Sequence, residues 1–131
     1  MKFSLQSDGA LNLVRAVTPA GIRVGERLIA RSAILTAERI VTDWPPRTVA
    51  ELTEEHLRLV LALEPELILL GTGEQQQFPA ANLQRLALDA RVGLETMTTP
   101  AACRTYNVLV QEGRRVAAAL LLAPLSQEAN R

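Results

Sequence analysis

The chain has 131 residues, 48% hydrophobic and 21% charged, which suits one domain built around a single core. Fourteen Lys and Arg balance fourteen Asp and Glu for a formal net charge of +0, no run of Lys or Arg supports a local basic patch, and aromatics at 3% are too few for a base-stacking platform, so nucleic-acid binding is not expected. The one cysteine excludes an internal disulfide and a cysteine-based structural zinc site within the chain, in keeping with a reducing compartment.

Met1-Lys2-Phe3-Ser4-Leu5 runs into Gln6, Ser7 and Asp8, not into an apolar stretch, and does not read as a signal peptide. From Leu11 to Trp44 the chain reads as antiparallel strands. Leu11 to Val17 forms the first, Thr18-Pro19-Ala20-Gly21 the turn, and Ile22-Arg23-Val24-Gly25 the returning hairpin partner. Leu28 to Thr36 and then Arg39 to Trp44 continue the β character. Arg23, Glu26, Arg27 and Arg31 suit a solvent face, and Trp44-Pro45-Pro46 ends the region because adjacent prolines cannot sit in a central strand.

The rest alternates helix and strand. Thr53 is placed to cap a helix, Glu54 and Glu55 complement its positive end, and Leu52 and Leu57 fit a hydrophobic staple. Leu57, Val60, Leu61 and Leu63 give the buried stripe before Pro65 stops the helix. Leu67 to Leu70 is apolar throughout, as a strand buried on both faces should be. Phe78-Pro79 opens a second helix with Leu83, Leu86, Ala87 and Ala90 at helical spacing, closed by Gly93. Leu94 to Met97 is the next strand. Thr99-Pro100 reads as N-cap and first helical residue of a third helix running to about Glu112, with Gly113 at its left-handed end. Val116 to Leu122 is the last strand, Pro124 its stop, and the tail from Ser126 to Arg131 is polar. The longest apolar runs, Leu57 to Leu63 and Val116 to Ala123, fall far short of the ~20 residues of a membrane helix. A cytoplasmic protein without membrane insertion is expected.

Parallel sheets bind ligands beyond the carboxyl ends of their strands, which directs attention to two loops. Gly71-Thr72-Gly73-Glu74 offers amides that a ligand can approach closely and one hydroxyl, although it is neither a P-loop nor a dinucleotide fingerprint. Thr98-Thr99-Pro100 opens a helix whose amides, reinforced by Arg104, suit a small anion, although Thr99 is more simply its cap. The candidate binding set is therefore Gly71, Thr72, Gly73, Thr98, Thr99 and Arg104. Cys103 lies one turn into the helix, near enough for the dipole to activate it, but reads better as an inert core thiol packed with Tyr106 and Val110. Asn107 shares a face with Arg104. His56 stands without companion ligands, so no metal site is expected, and no cofactor either. Glu95 is taken as exposed. No nucleophile–base pair stands out, and catalytic residues stay unassigned.

The stretch Glu66 to Gly73, followed by Gly93-Leu94-Glu95-Thr96-Met97-Thr98-Thr99-Pro100-Ala101-Ala102-Cys103-Arg104-Thr105-Tyr106-Asn107-Val108-Leu109, resembles the Mth-type domain family of uncharacterised proteins. The run Met97 to Asn107 carries the resemblance most specifically, and the likeness extends from Asp8-Gly9 to Leu122. It implies a three-layer α/β fold: a central mixed sheet, helices on its faces and an additional N-terminal β element, in one domain over residues 1–125. Relatives include the mitochondrial NADH dehydrogenase (ubiquinone) complex assembly factor three and an adipogenesis-associated Mth-type protein. No established enzymatic activity follows from the resemblance.

Two readings result. In the first the chain is a non-catalytic interaction or assembly protein, with an unidentified protein partner, acting as monomer or homodimer. In the second it binds a small molecule or anion at Gly71–Glu74 and Thr98–Arg104, as an enzyme or otherwise.

Overall fold

The computed structural model describes residues 10–123, so the expectations placed on residues 1–9, on Pro124 and on the polar tail lie outside the described residues. Two sheets are present. β1 (Val14–Thr18), β2 (Gly21–Val24) and β3 (Arg27–Ile29) make a small antiparallel sheet in that order. β4 (Ala33–Leu35), β5 (Ile40–Val41), β6 (Leu67–Gly71), β7 (Gly93–Met97) and β8 (Val116–Leu120) make a mixed sheet in the order β5-β4-β8-β6-β7. β6 runs parallel to both β7 and β8, whereas β4 is antiparallel to β8 and β5. The helices are α1 (Glu54–Leu61), α2 (Ala81–Asp89) and α3 (Thr99–Gln111).

Residue parity along the central strands sorts the core into two layers, because successive side chains in a strand point to opposite faces. Leu67, Leu69, Val116, Ala118, Leu120, Ala33 and Leu35 face Cys103, Tyr106 and Val110 of α3, together with Val14, Ile22 and Val24 of the small sheet. Ile68, Leu70, Ala117, Ala119 and Ile34 face Leu57 and Val60 of α1, Leu83 and Ala87 of α2, and Trp44. Helices thus cover both faces, and the N-terminal sheet joins α3 on one of them. The three alanines at the centre of β8 are small enough to let both covering layers approach.

Local signals set several elements. The Thr53 hydroxyl accepts from the His56 amide at 3.2 Å, and His56 Nδ1 accepts from the Thr53 amide at 3.1 Å, a reciprocal cap at the start of α1. His56 is therefore half-buried and structural: its carbonyl accepts from Trp44 Nε1 at 3.0 Å, and the two rings meet edge-on, centroids 6.4 Å apart.

Elsewhere the structure departs from expectation. Leu28 to Thr36 is not one strand. It breaks at Ala30-Arg31-Ser32, and its halves enter different sheets because buried Ser32 docks just past the end of β8, its Oγ accepting from the Leu122 amide at 2.9 Å. Nor does Gly93 close α2. Arg91 takes the left-handed position at φ 62, and Gly93 is already the first residue of β7.

A left-handed conformation costs a non-glycine residue roughly 1–2 kcal/mol, while glycine's extra freedom in the unfolded chain gives back about 0.4–1 kcal/mol. Arg91→Gly is therefore expected to raise stability to chemical denaturation by roughly 0.5–1 kcal/mol. A loss of stability would mean that the residue is not held left-handed in solution.

Candidate functional site

β6, β7 and β8 end together, and α3 starts across those ends. Gly71, the last residue of β6, sits so close to α3 that a Cβ added there would lie 2.9 Å from Thr99 Cα and 3.0 Å from its hydroxyl. The glycine serves this close packing. Gly73 answers a different demand, a left-handed φ of +94, with open space around it.

The cap of α3 falls one residue earlier than expected. Thr98, not Thr99, is the N-cap, its hydroxyl accepting from the Ala101 amide at 3.3 Å. That shift frees the Thr99 hydroxyl, 2% exposed with its residue, for another role. It accepts from the Gly73 amide at 2.8 Å and donates to the Leu121 carbonyl at 2.9 Å, joining the loop after β6 to the end of β8. Thr72 turns its hydroxyl inward as well, donating to the Gln75 carbonyl at 2.6 Å and accepting from the Gln77 amide at 3.2 Å.

The first-turn amides of α3 are also engaged. Thr99 N donates to Gly73 O at 2.9 Å, Pro100 has no N–H, Ala101 N is held by the Thr98 hydroxyl, and Ala102 N donates to Thr98 O at 2.8 Å. Gly71, Thr72, Gly73, Thr98 and Thr99 do come together at the strand ends, bonded to one another and to neighbouring backbone. Arg104 is exposed, one residue on from buried Cys103. Glu95 is exposed too.

Burial pushes the Cys103 thiol from its ordinary 9.0 up to about 12, overriding the opposing pull of Arg104. The thiol is a core group and not an activated nucleophile. Burial raises the Tyr106 phenol as well. Its hydroxyl donates to the Asn12 carbonyl at 2.6 Å, while the Asn107 amide pairs with both backbone groups of Val14, accepting from N at 2.9 Å and donating to O at 2.8 Å. These two α3 side chains fasten the small sheet to the core, a role the sequence reading did not assign.

A cleft of about 780 Å³ lies between the β1–β2 turn and the start of β4, lined by Arg31, Ser32, Thr42, Asp43, Trp44 and Arg47 among others; it reaches Leu122 and Ala123 just past β8 but takes in neither candidate loop. Its residues come from four distant stretches, and no local motif marks them. Among the described residues no three His, Cys, Asp or Glu side chains cluster to hold a metal, and no helix is long and apolar enough to cross a membrane.

Residues 14–121 match a family described as a protein of unknown function (DUF498/DUF598). A Bordetella pertussis protein whose solution structure is described as a Mth938-like domain is similar at 30% identity and a TM-score of 0.80, over 98% of each chain. The NADH dehydrogenase [ubiquinone] 1 alpha subcomplex assembly factor 3 of Bos taurus is 32% identical over 76% of this chain and 54% of its own length. A protein of Francisella tularensis described as a 13 kDa major membrane protein is 37% identical over 56% of this chain and 59% of its own. The chain thus spans a little over half the length of these two curated relatives.

Leaving a buried polar group unpaired costs roughly 1–3 kcal/mol, and Thr99→Val orphans both the Gly73 amide and the Leu121 carbonyl. A loss of at least about 2 kcal/mol is expected in chemical denaturation, with Thr99→Ser clearly milder. A larger loss in Thr99→Ser than in Thr99→Val would assign the role to the methyl group instead. For Cys103, the folded thiol keeps its proton where the unfolded one loses it, so stability is expected to fall as pH rises from 9.0 towards 12. A thiol-reactive dye at pH 8 is expected to label the chain only after denaturant is added. Rapid labelling of the native chain would contradict the buried placement.

Proposed function

The chain belongs to the DUF498/DUF598 family, alongside Mth-type domains and the mitochondrial assembly factor, and from that membership we propose that it is a non-catalytic interaction protein that assists assembly of a multi-subunit complex. The observation that carries this reading is where the molecule places its unsatisfied chemistry. At the strand ends, where this architecture holds ligands, hydroxyls and amides are consumed by internal bonds. Outside, large apolar side chains face solvent: Phe78 and Leu88 are each 72% exposed and Val108 is 54% exposed.

The bovine relative supports an assembly role of the respiratory-complex kind. On this reading the chain works in the cytoplasm as a monomer or homodimer. The Francisella relative's description directs attention to a membrane-associated partner. The competing reading sets a small anion against Arg104 and the loops Gly71–Glu74 and Thr98–Thr99. It would require the first-turn amides of α3 to exchange their present partners.

Affinity capture of the tagged chain from its native cells in mild detergent is expected to recover NADH dehydrogenase subunits, and Arg104→Ala is expected to leave that recovery unchanged. A preparation free of any respiratory subunit would overturn the assembly role. Loss of phosphate binding in Arg104→Ala, measured by calorimetry against a binding parent chain, would favour the anion reading.

A further inference from the structure

The five-stranded sheet has two unlike edges. β5 is two residues long, whereas β7 at the other edge has five, Gly93-Leu94-Glu95-Thr96-Met97, with no proline, lysine or bulge to blunt it. The Gly93 amide donates to Glu66 O at 3.2 Å, and Met97 O accepts from the Thr72 amide at 2.9 Å, so the odd-numbered residues turn their backbone groups towards β6. The strand period of two then turns those of Leu94 and Thr96 outward. One outward group is covered: Gln76 Nε2 donates to Thr96 O at 2.9 Å. No strand among the described residues pairs with the rest. The protein closes the edge of β1 differently, since at Val14 the Asn107 amide takes both the N–H and the carbonyl. Gln76 supplies only the donor half of such a cap.

We infer that the outer edge of β7 is the docking strand for an extended segment of a partner protein, one carrying a Lys or Arg opposite Glu95, with the Gln76 amide standing where a partner N–H will donate. Charge selects this occupant. Glu95 is exposed and pairs in register with Leu69, which places it on the α3 face of the edge. Antiparallel self-pairing of β7 over all five residues would set Glu95 directly against Glu95 of a second copy, and like charges at that separation are destabilising. A cation in that place is favourable, and main-chain bonds to Leu94 and Thr96 supply the affinity. Phe78, two residues on from Gln76 in the chain, is 72% exposed. The inference rests on the interaction reading and names the surface it would use.

The test is a titration of the isotope-labelled full chain, followed by amide NMR, with two capped pentapeptides, Thr-Val-Lys-Val-Thr and Thr-Val-Glu-Val-Thr. In the free chain the Leu94 and Thr96 amides are expected to exchange quickly with solvent while Glu95 is protected. The lysine peptide is expected to shift the Leu94, Thr96 and Gln76 side-chain amides, and to bind roughly fivefold more tightly than the glutamate peptide, the upper range for one cross-strand charge pair. Glu95→Lys is expected to invert that preference. Thr96→Pro, which removes an outward N–H and no ladder bond, is expected to abolish binding. Protected Leu94 and Thr96 amides in the free chain, a dimer by light scattering that Thr96→Pro dissolves, or equal binding of both peptides would each overturn the proposal. If the peptides fail while respiratory subunits are still captured, β7 is wrong and the interaction reading stands. If both fail, both fall.

Discussion

The end of the parallel strands is organised around one buried hydroxyl. Thr99 Oγ accepts from Gly73 and donates to Leu121, while its own amide donates to Gly73 O, so the loop after β6, the start of α3 and the end of β8 are locked into one unit. Everything nearby conforms to this. Gly71 must lack a side chain because Thr99 lies against it, and Thr98 must serve as the cap because Thr99 is otherwise engaged. In a strongly desolvated site such bonds are hard to give up, since a group released from them has no water to turn to. The part of the fold most often used for ligands is here built as a joint.

How much of this was legible in the sequence depended on range. The Thr53 cap, the apolar run Leu67 to Leu70 and the alternation of helix and strand are written within a few residues, and the structure has them where local chemistry placed them. The mixed sheet with helices on both faces, and the additional N-terminal sheet, also match the Mth-type resemblance. The break at Ala30-Arg31-Ser32 was hidden because its cause is Leu122, 90 residues away. Thr98 and Thr99 are equally able caps by local rules, and only the tertiary demand for the Thr99 hydroxyl decides between them. Local rules favour Gly93 over Arg91 as the left-handed residue, because glycine takes that conformation without steric cost, yet it is Arg91 that holds it. The loops of the candidate site were found as neighbours. Their bonding was not, because it is shared among segments that meet only when folded.

The surface makes the opposite impression from the interior. Inside, the core is sorted by strand parity into two layers, and burial raises the pKa of a deeply placed thiol and phenol. Outside, ion pairs such as Arg58 with Glu54 and Arg114 with Glu66 are exposed, where solvent and salt weaken them. Apolar side chains such as Phe78 and Leu88 are exposed as well, and among the described residues no strand pairs with the outer edge of β7.

The fastening of the small sheet by Tyr106 and Asn107 has a bearing on how the protein is made. Those bonds reach back 94 and 93 residues, to Asn12 and Val14. On a ribosome, β1 is therefore released long before the helix that closes its edge has been translated. During that interval the hairpin has a buried face with nothing to bury against, and its pairing groups are open to any neighbouring nascent chain. Final docking waits for α3, so strands synthesised well ahead of it are among the last to be secured, and the time spent in that state is governed by translation and not by the hairpin's own quick closure.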